Sequence, residues 1–198
     1  MHHKSLAIAE ELGDRAGVAR NSGNLGLVHQ ERGEWEEALS MHHKSLAIAE
    51  ELGNRAYAAS QYGNLGLVHR ERGELEEALA MHRKSLAIAE ELGNRAGMAR
   101  QYGNLGLVHQ QRRETEEAEA ALRQSIAIFE DIGDRAGIAR NVFNLGDVLK
   151  DQGDWEGAAE HFRRSFALAE ELEMPDADQD RKAIAEVEAH LAGGGSAT

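Results

Sequence analysis

The sequence predicts an all-α protein, an α-solenoid built from antiparallel helix pairs. Three observations lead to this prediction: the chain repeats itself every 40 residues, apolar residues recur at helical spacing, and Pro and β-branched residues are few. The 198 residues include a single Pro. A repeat this regular indicates a stack of like units, each burying its apolar face against the next.

The repeat frame can be read directly from the alignment of the chain with itself. Residues 1–40 and 41–80 align without a gap and differ at nine positions, and residues 81–120 differ from the second block at nine. Residues 121–160 keep the frame more loosely, and residues 161–172 begin a fifth copy. The predicted organisation is a half-repeat helix at 1–13, repeats at 14–53, 54–93, 94–133 and 134–174, a capping helix at 175–192 and a flexible tail at 193–198.

Each repeat is predicted to hold two helices, residues 14–32 and 35–52 in the first repeat. Gly53 suits the left-handed position that closes a helix, because it has no Cβ to clash. Asn54 follows as an N-cap whose side chain can accept a free backbone N–H. The same cap position holds Asp14, Asn94 and Asp134. In the capping helix, Ile184, Val187 and Leu191 share one face.

Glycines inside the repeats predict where helices turn or approach each other. The turn within repeats 1, 2 and 4 has a glycine, whereas repeat 3 has Arg113, so we expect that turn to be strained or reshaped while the helices still form. Gly26 lies inside a helix, where we expect it to permit close packing of two helices. Gly23, also inside the helix, has no firm explanation in the sequence.

Composition excludes several classes of function. With 22 Lys plus Arg against 35 Asp plus Glu, the formal charge of −13 argues against a nucleic-acid partner. The absence of Cys excludes disulfides, thiolate zinc sites and cysteine catalysis, and it suits a reducing compartment, so we expect a cytoplasmic protein. No apolar run approaches the ~18 residues of a membrane span.

The repeat resembles the tetratricopeptide repeat (TPR), in its long form of the Pins/LGN and kinesin light chain type. The residues that carry the resemblance are Tyr62, Leu65, Gly66, His69, Gly73, Ala78, His82 and Ser85, and in the fourth copy Leu145, Gly146, Gly153, Ala158, Phe162 and Ser165. The resemblance implies a right-handed superhelix whose first helices line a concave groove. It also implies a protein–protein interaction scaffold or adaptor that binds an extended peptide segment.

One stripe of each first helix, at spacings of four, three and four residues, would face that groove. The predicted peptide-binding residues are Arg20, Asn24, Leu27, Glu31, Ser60, Asn64, Leu67, Arg70, Arg100, Asn104, Leu107, Arg140, Asn144 and Asp147. Asn can grip main-chain amides because it both donates and accepts hydrogen bonds, and Arg can bind a carboxylate. Alternatively, the Asn side chains bond between neighbouring helices and the Arg side chains form ordinary surface ion pairs.

Ten His residues raise the question of a metal site. No two of them recur at i, i+4 within a helix, and although His29 and His42 could approach each other, two ligands do not make a closed zinc site. We therefore expect packed or hydrogen-bonded His, whose protonation could alter stacking, and no metal or other cofactor. Carboxylate pairs such as Glu36 and Glu37 are expected on solvated faces, so an enzyme is not predicted.

The alternative function is structural self-association. The first helix, within residues 1–13, is not preceded by a capping element, so near-identical units could stack head to tail or exchange elements between chains. The alternative explanations of this end are that the chain is a fragment of a longer array or that this helix covers the first pair.

Overall fold

The structure is a computed structural model that describes residues 2–175 and 177–194, and within them all regular secondary structure is helical. The predicted all-α class is confirmed. The chain divides into two compact units, Met1–Asn94 and Arg95–Thr198. The first unit contains α1 (His2–Glu11), α2 (Arg15–Glu31), α3 (Trp35–Glu51), α4 (Arg55–Glu71) and α5 (Leu75–Glu91). The second contains α6 (Arg95–Gln111), α7 (Thr115–Ile132), α8 (Arg135–Gln152), α9 (Trp155–Glu171) and α10 (Ala177–Gly194).

Each repeat is an antiparallel hairpin of a first and a second helix: α2 with α3, α4 with α5, α6 with α7, and α8 with α9. Within each unit the first helices of consecutive repeats also touch, α2 with α4 and α6 with α8. Among the described residues no comparable contact joins α3 to α5 or α7 to α9. The first helices therefore form the more closely packed side of each unit.

The loops between repeats are built from a left-handed glycine and a capping side chain, as the sequence predicts. Gly53 adopts a φ of 67°. The Asp14 carboxylate accepts a hydrogen bond from the backbone N–H of Gly17 at 2.9 Å, and the Asn54 side chain accepts one from the N–H of Tyr57 at 3.1 Å. Each cap satisfies a backbone donor that the helix start leaves open.

The turn of repeat 3 keeps the shape of the other turns although it has no glycine. Arg113 adopts a φ of 62°, close to the 71° of Gly33 and the 76° of Gly73. The backbone N–H of Glu114 still donates to the carbonyl of His109 at 3.0 Å, and the equivalent bond closes the other intra-repeat turns. The turn is therefore strained and not reshaped, because a side chain in the left-handed region is disfavoured.

The expected close packing at Gly26 is confirmed in every repeat. A Cβ on Gly26 would lie 2.6 Å from the ring of His42 on α3, a distance that real Cβ contacts do not show. The same crossing recurs between Gly66 and His82 at 2.6 Å, Gly106 and Leu122 at 2.7 Å, and Gly146 and Phe162 at 2.7 Å. A bare backbone at this position lets the two helices of a repeat approach closely.

The structure also explains Gly23, which the sequence left without an account. A Cβ there would lie 2.5 Å from the hydroxyl of Tyr57, and this hydroxyl donates to the carbonyl of Ala19 at 3.3 Å. In repeat 3 a Cβ on Gly103 would meet Oδ1 of Asn141 at 2.5 Å. The glycine thus makes room for a side chain that enters from the first helix of the following repeat.

Two contacts that the sequence did not reveal recur in all four repeats. A buried serine of each second helix donates to a carbonyl of its first helix, at Ser45–Ala19 (2.8 Å), Ser85–Ala59 (2.8 Å), Ser125–Ala99 (2.7 Å) and Ser165–Ala139 (3.0 Å). An arginine that begins each first helix pairs with an acid that ends the second, at Arg15–Glu51, Arg55–Glu91, Arg95–Asp131 and Arg135–Glu171. The helix dipole disfavours a positive charge at a helix N-terminus and a negative charge at a helix C-terminus. Pairing the arginine with the acid offsets both unfavourable interactions.

Helix α10 covers the second unit with the face that its spacing predicts. Val187 is fully buried, and Ile184 and Leu191 pack against the same apolar core. The imidazole of His190 stacks on the indole of Trp155 with the ring centroids 3.5 Å apart. The helix includes residues 193 and 194, which the sequence assigned to the tail, and residues 195–198 lie outside the described residues.

We expect the substitution Arg113→Gly to raise the free energy of unfolding by about 0.5–1 kcal/mol. Glycine removes the strain of a side chain in the left-handed conformation. This gain is larger than the loss of stability caused by the greater conformational entropy of glycine in the unfolded chain. The Arg113 side chain makes no hydrogen bond or ion pair with the described residues, so no other interaction is lost. Urea denaturation monitored by circular dichroism measures the change.

The chain offers the reverse exchange as a matched control. Gly73→Arg places the same side chain in the equivalent turn of repeat 2, where φ is 76°, and should destabilise the protein by a similar amount. If neither exchange changes the stability, the Arg113 turn is not strained.

Candidate functional site

The packing of each first helix decides which of its residues stay accessible. In α2, Leu25 is buried at 2% exposure and Gly26 lies against the second helix. Asn24 is half-buried, and Arg20 and Leu27 are exposed, Leu27 at 44%. Because successive residues are about 100° apart around a helix, the predicted stripe lies on the side turned away from the second helix.

The four stripe asparagines have side-chain amides that make no hydrogen bond with the described residues. Asn24 and Asn64 lie on the contacting helices α2 and α4, and Asn104 and Asn144 on α6 and α8. All four are half-buried, and none makes a side-chain hydrogen bond with the described part of the chain. By contrast, Asn21 donates to the carbonyl of Gly17 in its own helix at 2.9 Å. The alternative of bonds between neighbouring helices therefore does not occur among the described residues.

The stripe arginines are likewise open. Arg20, Arg100 and Arg140 are exposed, and none forms an ion pair within residues 2–175 and 177–194. The alternative of ordinary surface salt bridges is therefore absent there too. Ser60 takes this position in repeat 2 and donates to the carbonyl of Ala56 in its own helix at 3.2 Å.

The third position of the stripe, occupied by Leu27 in repeat 1, changes from apolar to charged in repeat 4. Leu67 and Leu107 are half-buried, and Leu27 is more exposed. In repeat 4 this place holds Asp147, and burial raises the pKa of its carboxyl while the Lys150 ammonium, 3.6 Å away, opposes the shift. The first three repeats thus offer an apolar contact where the fourth offers a carboxylate.

Arg70 and Gln110, which lie beside the stripe, are occupied by contacts within the protein. The Arg70 guanidinium donates to the exposed carboxylate of Glu71 at 2.6 Å. Gln110 donates to the carboxylate of Asp151 at 2.9 Å. In repeat 1 the predicted stripe ends at Glu31, which is exposed. Among the predicted site residues, Arg70 therefore differs from Arg20 in having an intramolecular partner.

Four of the histidines, His29, His42, His69 and His109, form side-chain hydrogen bonds, as expected. Nδ1 of His29 lies 2.5 Å from Oε2 of Glu34, and the pairs His69–Glu74 and His109–Glu114 repeat this contact at 2.6 Å. The His69 hydrogen bond holds the pKa of Glu74 below its usual value. His42 is fully buried between Gln30 at 2.9 Å and Gln61 at 3.0 Å. Within the described ranges no group of three or more His, Asp or Glu is arranged to hold a metal ion.

Two cavities beside the stripe were missed by sequence reasoning. One is lined by Arg20 and Ala49 in repeat 1, and the other by Arg140 and Ala169 in repeat 4. Each has a volume of about 220 Å³. The sequence does contain a signal for them: the second helices of repeats 1, 2 and 4 have Ala49, Ala89 and Ala169 at one equivalent position, where repeat 3 has Phe129.

Helical hairpins with an accessible polar stripe on each unit define a helical-repeat scaffold. No helix in the described part of the chain has the length and apolarity that crossing a bilayer requires. The family described as tetratricopeptide repeat matches residues 1–51, 18–91, 56–131 and 97–171. The chain therefore belongs to the tetratricopeptide repeat family. None of the curated proteins matches it.

Solved structures share the fold at low sequence identity. BtubC (BKLC) from P. vanneervenii is 20% identical over 96% of this chain and 82% of its own, with a TM-score of 0.85. Aspartyl phosphate phosphatase F from Bacillus subtilis is 15% identical over 98% of this chain, with a TM-score of 0.83, and this chain covers 54% of its length. The nearly identical TPR-like repeats of a Podosopora anserina kinesin light chain are 17% identical over 89% of this chain and 87% of their own, with a TM-score of 0.71. At these identities the likeness shows the fold alone.

We expect the substitution His42→Leu, which copies Leu122 of repeat 3, to reduce the loss of stability on acidification. Burial lowers the pKa of His42, so the unfolded chain takes up this proton more readily than the folded protein. Stability is therefore full above the unfolded pKa of about 6.5 and falls as pH decreases below it. Between about pH 8 and pH 5, removing this group should shrink the difference in unfolding free energy by about 1 kcal/mol.

Thermal and urea denaturation of both proteins across this pH range measure the effect. His161→Leu is the matched control, because it removes an imidazole that is only half-buried. An identical pH dependence in wild type and His42→Leu would show that His42 does not couple protonation to folding.

Proposed function

We propose that this protein is a protein-interaction scaffold that binds an extended segment of a partner along the first helices of its repeats. The observation that carries the proposal is the set of open amides at Asn24, Asn64, Asn104 and Asn144. Each unit supplies two of them on first helices that touch. The stripe residues Arg20, Leu27, Leu67, Arg100, Leu107 and Arg140 add charged and apolar contacts on the same faces.

The chemistry of these residues suits a main chain more than a particular side chain. A primary amide donates and accepts hydrogen bonds, so it can pair with the N–H and C=O of an extended peptide whatever its sequence. Helices already fixed by packing lose little freedom on binding, and the ordering cost falls on the partner segment. A rigid row of Asn on each unit is therefore suited to holding a flexible segment.

The proposed function is binding and not catalysis. Its functional groups are amides, guanidinium groups and aliphatic side chains, which bind without activating a nucleophile or transferring a proton. It requires no cofactor, no nucleic acid and no membrane. The lack of Cys suits a cytoplasmic partner in a reducing environment.

Alanine substitution at Asn64 and at Asn104 tests the proposal. Affinity chromatography with the immobilised protein isolates a partner, mass spectrometry maps the bound segment, and titration calorimetry measures its affinity. Each variant should weaken binding about fivefold, the equivalent of about 1 kcal/mol for a lost hydrogen bond. The melting temperature should stay unchanged, because these amides make no hydrogen bond with the described residues.

Asn21→Ala is the matched control. It also removes an amide from a first helix, but this amide already bonds to the carbonyl of Gly17. Its affinity for the segment should equal that of wild type. If Asn64→Ala and Asn104→Ala lower stability and leave the affinity unchanged, these residues hold the stack together and do not form the binding surface.

A second candidate function, self-association, is favoured by the surface of α1. Residues 1–12 are identical in sequence to residues 41–52. In the later copy Ile48 is buried at 3% exposure, whereas its equivalent on α1, Ile8, is 55% exposed. The same isoleucine is thus covered in one copy and open in the other, and a second molecule could cover it.

Light scattering coupled to size-exclusion chromatography over a wide concentration series distinguishes the two functions. Self-association through α1 predicts a mass that rises with concentration and a return to monomer in the variant Ile8→Lys. Leu52→Lys, at the exposed residue that caps the C-terminus of α3, is the control and should leave association unchanged. A constant monomer mass would exclude this second function.

A further inference from the structure

Helix α1 is held to the first unit by one face and presents the opposite face to solvent. Ala9, which is 7% exposed, packs in one apolar cluster with Val18 of α2. Lys4, Ile8 and Glu11 follow one another at spacings of four and three residues, so they share the other face of the helix. All three are exposed. We call these three residues the α1 row.

The charged ends of the α1 row have no partner among the residues that the structure describes. Lys4 and Glu11 make no hydrogen bond or ion pair there. The neighbouring Glu10, by contrast, accepts a hydrogen bond from Lys44 of α3 at 2.6 Å. The row therefore offers an ammonium group, an apolar side chain and a carboxylate, in line, to another molecule.

The chain itself shows how such a row is covered. In α3, which contains the copy of this sequence at residues 41–52, Lys44 and Ile48 correspond to the first two members of the α1 row. The Lys44 ammonium donates to Glu10, and Ile48 is buried in the cluster that contains Ala9. The cover is thus a helix that brings a carboxylate to the lysine and an apolar side chain to the isoleucine.

A second α1 supplies both groups when the two helices run antiparallel. Lys4 and Glu11 are seven residues apart, about 10.5 Å along the helix axis, and Ile8 lies between them. A two-fold axis near Ile8 therefore brings each lysine to the glutamate of the other copy and places the two isoleucines against each other. A parallel pair would instead set lysine against lysine and glutamate against glutamate, and like charges repel.

Helix α10 does not offer the same contacts for a head-to-tail arrangement. Its large apolar residues Ile184, Val187 and Leu191 pack on the core of the second unit. On its exposed side Glu188 is already paired with Arg163 at 2.6 Å. A contact between α1 and α10 would therefore leave the isoleucine of the α1 row without a large apolar partner.

We propose that α1 pairs with α1 of a second copy of this chain, antiparallel about a two-fold axis, so that the protein forms a closed dimer. The inference rests on the second candidate function, self-association, and names its partner surface and its symmetry. A helix of ten residues buries little area, so this interface is of the weak class, and salt weakens its exposed ion pairs further. Each dimer presents two sets of stripe asparagines, so a partner with two segments binds it with avidity.

The protein has no Cys, so single introduced cysteines report the contact directly. Under mild oxidation Ile8→Cys should form a disulfide between two copies about tenfold faster than Ala47→Cys, whose position on α3 is also exposed. A size-tagged Ile8→Cys mixed with Ala189→Cys, on the exposed side of α10, should form no linked heterodimer above the level of that control. Non-reducing gel electrophoresis measures all three reactions.

Charge reversal tests the orientation without altering the apolar contact. Lys4→Glu and Glu11→Lys should each weaken self-association about tenfold in light scattering, the equivalent of about 1.4 kcal/mol, because like charges then face each other. An equimolar mixture of the two variants should associate as wild type does, since one copy then has two acids in the row and the other has two bases. Glu37→Lys, an exposed charge reversal on α3, is the control and should associate as wild type.

Circular dichroism confirms that each variant folds. The two-fold dimer is overturned if Ile8→Cys is linked no faster than Ala47→Cys, or if the mixture of charge variants does not regain association. Self-association itself survives that result when the mass of the wild type rises with concentration and Ile8→Lys abolishes the rise, and linkage to Ala189→Cys would then establish a head-to-tail contact. A constant monomer mass overturns both. Binding of a partner segment to the asparagines is measured separately and stands in either case.

Discussion

The repeat depends on one close approach, where the backbone of a first helix touches a side chain of the second. In all four repeats a glycine occupies this crossing, and a Cβ there would lie 2.6 or 2.7 Å from the facing side chain. The contact fixes the rotation of the first helix about its axis. Asn24 precedes Gly26 by two residues, which is about 200° around the helix. The constraint that closes the hairpin therefore also turns the asparagine away from it, so that packing and the proposed binding surface follow from the same residue.

The slot left by the glycine accepts side chains of different chemistry, and the two units use it differently. His42 fills it in repeat 1 and is hydrogen-bonded through both ring nitrogens to Gln30 and Gln61, which offsets the cost of burying polar atoms. Phe162 fills it in repeat 4 and belongs to a large apolar core that includes Val187 of α10. The shared backbone crossing thus tolerates either a hydrogen-bonded polar network or an apolar cluster.

The sequence predicts the repeat frame, the caps and the crossing glycine because each of these is encoded locally. Asp14 and Gly53 act within one turn of their own position, and the 40-residue period places them without any knowledge of tertiary contacts. The role of Gly23 could not be predicted, since it depends on the Tyr57 hydroxyl that arrives from the following repeat. The candidate stripe could be predicted as a face, but its open amides could not, because Asn21 and Asn24 look alike in sequence and differ in whether a helix carbonyl accepts their hydrogen bonds.

Differences between the copies fall on positions where the hairpin tolerates them. The residue that begins the stripe is exposed in every repeat, so exchanging Arg20 for Ser60 changes the surface charge without touching the core. The position of Ala49 in the second helix is held by Phe129 in repeat 3, where the next first helix has Gly137, whereas Ala49 lies beside Tyr57. In these two repeats a large residue on one helix thus faces a small residue on the other, and the crossing glycine is left untouched. A repeat built this way can open or fill a cavity, and add or remove its charge, while the helices keep their places.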